Sequence, residues 1–201
     1  MLAGWKNRGV VLDLDARGPP ILRRLPGNLA QIAGGISPKL RGITDVKGVL
    51  TDEDFSKLRF FEEVEEIALY DSRLSDLGLA RIAECPALIN LTLMRVPVAK
   101  SGFRNLESLK RLLFLELRET GFSDDDLMSL EKLPELMDLA LHEQGITDSG
   151  LKQLESWKQL RSLNVQNSGV TQAGCDRFME ARPEVRLRTD DKIKRGKPQP
   201  R

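Results

Sequence analysis

Residues 146–169 read ITDSGLKQLESWKQLRSLNVQNSG, and residues 74–97 read LSDLGLARIAECPALINLTLMRVP. Both open on an apolar residue, Thr or Ser, Asp, any residue, then Gly-Leu. Both continue with an apolar residue at every third position and end on alternating apolar residues. A step of 24 carries Leu50 to Leu74, Val98, Phe122, Ile146 and Val170. Five segments follow without a gap (50–73, 74–97, 98–121, 122–145 and 146–169), and a sixth begins at Val170. A fixed period of this size predicts a solenoid, because one such unit cannot bury its apolar face alone and must stack on its neighbours.

Within each copy the spacing of apolar residues switches. Leu79, Phe103, Leu127, Leu151 and Cys175 form one column, and Ile82, Leu106, Leu130, Leu154 and Phe178 another three residues on. A third column runs Phe61, Cys85, Leu109, Leu133, Trp157 and Ala181. Spacing by three fits one face of a short helix or 3₁₀ turn. Thr51, Ser75, Ser123, Thr147 and Thr171 stand where a helix N-cap belongs. Asp52, Asp76, Asp124 and Asp148 follow, at the positive end of the helix dipole. The copy at Val98-Ala99-Lys100 lacks both features, so its helix start is expected to be the weakest. Later in each copy, Ile67-Ala68-Leu69, Leu91-Thr92-Leu93, Leu115-Glu116-Leu117, Leu139-Ala140-Leu141 and Leu163-Asn164-Val165 alternate as short strands. Stacking places these strands side by side in a parallel sheet.

The composite pattern L-x-x-L-x-L-x-x-T/S-x-φ-T/S-D-x-G-L resembles the leucine-rich repeat in its bacterial T-D-x-G-L form. It is also similar to the cysteine-containing repeats of F-box substrate receptors, whose C-P-x-L occurs once, at Cys85-Pro86-Ala87-Leu88. The resemblance covers about residues 50–189. It implies an α/β, right-handed solenoid with a parallel β-sheet on the concave side and short helices on the convex side. It also implies protein binding through the concave side.

The ends depart from the period. Residues 1–49 read as an N-terminal cap with a possible degenerate repeat at Ile43–Val49; Val10 to Leu14 alternates like a strand, and Ile21 to Ala33 suits a short helix. Residues 170–189 read as a shortened C-terminal repeat, and 190–201 as a polar, basic, disordered tail. The formal net charge of +1 gives no global pull toward nucleic acid or an acidic membrane. The opening Met1-Leu2-Ala3-Gly4-Trp5-Lys6 turns polar before an apolar run forms, so a cytoplasmic location is the expectation. Cys85 and Cys175 fall in core columns of distant repeats and are expected to be buried, reduced thiols.

Candidate chemistry is sparse. His142 is the only histidine, placed by the register just after a strand as an exposed surface residue. Neither a phosphate-cradling loop nor a nucleophile elbow is present. Acidic clusters at Asp52–Asp54 and Asp124–Asp126 coincide with helix starts, where capping accounts for them, and Asp13 and Asp15 share a side of an edge strand. The expectation is therefore a non-enzymatic protein, with no catalytic residue, no metal and no cofactor.

The outward strand positions are the informative surface. They form the columns Glu66, Asn90, Phe114, Asp138, Ser162; then Ala68, Thr92, Glu116, Ala140, Asn164; then Tyr70, Met94, Arg118, His142, Gln166. A fourth column, Asp71, Arg95, Glu119, Glu143, Asn167, begins the loop that follows. These columns lean acidic, which disfavours a phosphate backbone and favours a partner with a basic surface. Tyr70, Met94, Phe114 and Arg118 are of the types enriched at interface centres, with Arg95, Glu116 and His142 around them. The expected function is a protein–protein interaction module that binds a peptide or protein on its concave face. Two alternatives are an adaptor subunit whose basic tail contacts nucleic acid or anionic membrane, and a metal-dependent enzyme using an acidic cluster.

Overall fold

The two-residue alternation becomes strand wherever the sequence shows it. The computed structural model describes residues 2–15, 39–58, 62–99 and 101–190. Its strands are β1 (Val11–Asp15), β2 (Lys39–Asp45), β3 (Glu66–Tyr70), β4 (Asn90–Met94), β5 (Phe114–Arg118), β6 (Asp138–His142), β7 (Ser162–Asn164) and β8 (Arg186–Arg188). They form one eight-stranded sheet in chain order. From β2 onward every pairing is parallel, whereas β1 lies antiparallel to β2 at the edge. Leu91 pairs with Leu115, Leu115 with Leu139, and Leu139 with Leu163, so the sequence period is also the pairing interval. Gly42 of β2 pairs with Glu66 at the same interval. The architecture is α/β, with a mostly parallel sheet and short helical segments between strands.

One face of the sheet builds the core. Ile67, Leu69, Leu91, Leu93, Leu115, Leu117 and Leu163 are fully buried, against Leu79, Ile82, Phe103, Leu106, Leu151 and Leu154 from the connecting helices. Each such burial removes apolar surface from water and contributes about 1.5–3 kcal/mol. Phe103 meets Phe122 of the next copy edge to face, with ring centroids 4.8 Å apart. Cys85 and Cys175 are both buried and free. Burial, aided by the neighbouring Glu84, pushes the Cys85 thiol up to about 12, and burial chiefly raises Cys175 to about 11. Ala181 departs from its column: it is exposed at the end of the helix Gln172–Ala181, and Arg182 is buried beside it. Phe61 of the same column lies outside the described residues.

The Thr/Ser-Asp-x-Gly motif acts across the boundary between copies, which a helix-dipole account alone does not explain. Asp124 accepts from the Thr147 backbone N–H (3.0 Å) and hydroxyl (2.5 Å), and Asp148 from the same groups of Thr171 (2.8 and 2.7 Å). Asp52 holds Ser75 in this way, and Asp76 holds Ala99 N–H and the Ser101 hydroxyl. Each carboxylate fills the space beside the next copy's glycine. A Cβ on Gly150 would lie 2.1 Å from Asp124 Oδ1, and one on Gly174 2.1 Å from Asp148 Oδ1.

Where the preceding Asp is missing, the glycine is missing too. Position 100 is Lys, and the residue at the glycine position of the following copy is Asp126. Asp126 caps its own helix start instead, accepting from Ser123 N–H (2.9 Å) and hydroxyl (2.8 Å). Asp54 does the same for Thr51 in the first copy. The copy containing Lys100 forms a 3₁₀ helix, Gly102–Ser108, in place of the α-helix at Asp76–Ile82 and Asp148–Leu154. Its first residue is preceded by Ser101, which makes no side-chain cap hydrogen bond, whereas the copy at Ser123 also opens on a 3₁₀ turn, Asp124–Asp126, but with its capping box in place.

Each end of the sheet carries a buried residue foreign to the period. The helix Leu2–Asn7 sends Trp5 into the core, and its indole N–H donates to Asp54 Oδ1 (2.8 Å). Arg8 donates to the same oxygen (2.7 Å). At the other end the Arg182 guanidinium donates to the carbonyls of Leu154, Glu155, Trp157 and Leu160 and to Glu184. The helix expected within Ile21–Ala33 and the tail beyond Asp190 lie outside the described residues. Among the described residues, no helix is long and apolar enough to cross a membrane.

Candidate partner-binding face

The sheet face away from the helices is open, and strand register sets its geometry. Tyr70, Met94, Arg118 and His142 stand side by side in one row on β3 to β6. A middle row holds Ala68, Thr92, Glu116, Ala140, Asn164 and Arg188, and a third Glu66, Asn90, Phe114, Asp138, Ser162 and Arg186. Adjacent strands are about 4.8 Å apart, so Tyr70, Met94 and Arg118 reach one another. Phe114 does not join them: it sits four residues from Arg118 on the same strand, roughly 13 Å away by strand rise. All four side chains are half-buried.

The loop column after β3 to β7 repeats a specific backbone conformation. Asp71, Arg95, Glu119 and Asn167 have φ of 55°, 52°, 53° and 57°, in the left-handed region. Asp and Asn tolerate that region, whereas Arg and Glu are less suited to it. Arg95 forks onto Asp71 with bonds of 2.5 and 2.8 Å. This pairing holds the Asp71 carboxyl below its usual range and raises Arg95. Both side chains are exposed, so the pair orients the loop more than it stabilises it.

Glu143 breaks this column. It was expected outward with the other acids but is 5% exposed, and it is absent from the left-handed set. Its carboxylate turns inward and accepts from Thr120 N–H (2.6 Å), the Thr120 hydroxyl (2.7 Å) and Gly121 N–H (3.4 Å). Three donors otherwise left without partners explain why a charged side chain is buried there.

His142 corrects a second expectation. It is not an exposed surface residue but 7% exposed. Its Nδ1 lies 3.0 Å from the Gln166 carbonyl, and a carbonyl only accepts, so Nδ1 carries a proton. Nε2 faces Glu116 Oε1 at 3.8 Å. The outward direction of the strand position is right; the ring is covered where Gln166 and Glu116 lie against its two nitrogens.

A shallow cavity of about 760 Å³ opens at this break, lined in part by Arg118, Glu119, His142, Gln144 and Asn167. The Arg118 guanidinium has no hydrogen-bond or ion-pair partner among the described residues. The acidic excess of the face is smaller than its sequence count. Glu143 is consumed internally, Asp71 pairs with Arg95, and Glu65 pairs with Arg41. Glu66, Glu116, Glu119 and Asp138 remain. Two basic residues on this face escape the sequence reading, Arg186 and Arg188, although adding one period to Ser162 and Asn164 finds them. Among the described residues, no group of three His, Cys, Asp or Glu side chains is placed to hold a metal ion.

No family model matches this chain, and no curated protein matches it. Among solved structures it is similar to a pollen receptor kinase 3. The identity is 19% and the TM-score 0.47, over 76% of this chain and 73% of that one. A likeness at that level bears on neither activity nor partner.

Proposed function

We propose that this chain is a non-enzymatic protein-interaction module: a right-handed leucine-rich-repeat solenoid of the T-D-x-G-L type that binds a peptide or protein on its concave face. The open sheet face is that concave face in this reading. The observation that carries it is Arg118, a half-buried guanidinium with no partner among the described residues, beside Tyr70, Met94 and His142 in one rigid row at the break in the loop column. Arg and Tyr anchor interface centres because they combine a large contact area with directional hydrogen bonds. A preformed sheet loses little conformational entropy on binding. Glu66, Glu116 and Asp138 favour a partner with basic groups, and the location assigned to the protein is the cytoplasm.

The test compares variants of the two sides of the sheet. Partners captured by the wild-type chain are titrated against Tyr70→Ala, Arg118→Ala and, on the helical side, Lys132→Ala and Lys152→Ala. The open-face variants are expected to lose about 2 kcal/mol of affinity, roughly thirtyfold, and the helical-side variants almost none. Weakening by the lysine variants alone would place the site on the helices instead.

A further inference from the structure

We infer that the open face selects a polypeptide of divided charge, with basic side chains over Glu66, Glu116 and Asp138 and carboxylates over Arg186 and Arg188 of β8. This rests on the reading of that face as the binding surface. Glu66 on β3 and Asp138 on β6 share a row with Arg186 on β8, and Glu116 on β5 shares the middle row with Arg188. Glu66, Asp138, Arg186 and Arg188 form no ion pair among the described residues, and Glu116 meets His142 Nε2 at 3.8 Å. β7 separates the two charge blocks with the neutral Ser162 and Asn164. Asp138 and Arg186 are two strand spacings apart, about 10 Å between Cα positions, and do not pair with each other. Both blocks are left to act on whatever lies across them.

The middle row is lowest at Ala68 and Ala140, each 7% exposed, with Glu66 and Asp138 in the neighbouring row on the same strands. From β5 to β8 is three strand spacings, about 14 Å, which an extended chain covers in four to five residues. A phosphate backbone would be repelled by Glu116 and Asp138 over β5 and β6, and a polypeptide can carry the opposite charge at each end, so the occupant is a polypeptide.

Fluorescent ten-residue peptides test this at low ionic strength. One carries Lys-Lys and Glu-Glu separated by four neutral residues, a second carries lysine at both ends, and a third glutamate at both ends. The divided peptide has no net charge, so non-specific attraction does not favour it. It is expected to bind the wild-type chain at least about fivefold tighter than either other peptide, from two or three exposed charge pairs. Arg186→Glu with Arg188→Glu should shift the preference to the all-lysine peptide, and Glu66→Lys with Asp138→Lys to the all-glutamate peptide. Circular dichroism monitors folding, and Arg186→Gln with Arg188→Gln, which should merely abolish the preference, serves if charge reversal unfolds the chain. Equal binding of the divided and all-lysine peptides to wild type, with affinities still sensitive to these substitutions, overturns the divided-charge inference alone. A ranking that survives reversal at both ends means the peptides bind elsewhere, and the open-face reading falls with it. Self-association abolished by Arg186→Glu with Arg188→Glu, without peptide binding, would assign the face to a second copy and overturn the inference.

Discussion

The Asp124 carboxylate occupies the space that a side chain on Gly150 would need. A Cβ there would come within 2.1 Å of Oδ1, while the same carboxylate holds the Thr147 N–H and hydroxyl. Aspartate and glycine are thus one device split between two copies. Gly150→Ala is expected to cost about 1–3 kcal/mol in urea unfolding, as overpacked sites do. Adding Asp124→Ala should recover part of that loss, giving a non-additive double-mutant cycle. Strict additivity would show that the two positions are not coupled.

Acid should loosen the N-terminal end first. Burial works to raise the Asp54 pKa, but hydrogen bonds from Arg8, Trp5 and Thr51 outweigh it and hold the carboxyl at about 2. An unfolded Asp titrates near 3.9, so the unfolded chain takes up the proton first as pH falls. The contribution, of order 2 kcal/mol, is present above about pH 4 and lost as pH falls through about 2. Trp5 fluorescence in a Trp157→Phe background should report this transition, and Asp54→Asn should remove its pH dependence.

Arg182 should resist conservative replacement. Its guanidinium serves carbonyls of Leu154, Glu155, Trp157 and Leu160, a fan that one ammonium cannot span. Arg182→Ala is expected to cost about 2–3 kcal/mol, and Arg182→Lys to restore little of it. Thermal unfolding of both variants gives the comparison.

The buried thiols should react slowly. With Cys85 raised to about 12 and Cys175 to about 11, little thiolate exists at pH 8, and neither sulfur is open to solvent. Labelling by a thiol reagent should follow global unfolding and speed up in step with added urea. Rapid labelling of the native chain would contradict their placement.

Leu115, paired between Leu91 and Leu139 and fully buried, is the plainest test of the core. Leu115→Ala should cost about 2–5 kcal/mol, measured by the unfolding midpoint.

Much of the sheet was legible in the sequence because period and register are the same quantity: once Leu91 and Leu115 occupy equivalent positions, pairing follows. The rows Tyr70–Met94–Arg118–His142 and Ala68–Thr92–Glu116–Ala140 follow from it as well. Side-chain height was not legible. Register places His142 outward, but only the atoms of Glu116, Gln166 and the adjoining loop show that it is covered. Glu143 was misplaced for a related reason: a column predicts where a Cα lies, and the three donors at Thr120 and Gly121 decide where the carboxylate goes. The Asp–Gly pairing was visible as a correlation between positions 26 residues apart, such as Asp148 and Gly174, but a template written one copy at a time hides it. Arg186 and Arg188 were missed because the last copy is shortened and the outward columns were followed only as far as Ser162 and Asn164.

A ladder shared between copies also sets a grammar for excision and duplication. Removing 74–97 would bring Asp52 up to Gly102, a matched junction. Removing 98–121 would set Asp76 against Asp126, two carboxylates competing for the Ser123 donors. Removing 122–145 would put Lys100 before Gly150, and Thr147 would then have no carboxylate from either side. Excising 98–145 as a block joins Asp76 to Gly150, and the junction is legal again. The lysine at 100 and the aspartate at 126 are irregular one at a time and regular together, so the two copies that carry them form one structural cassette.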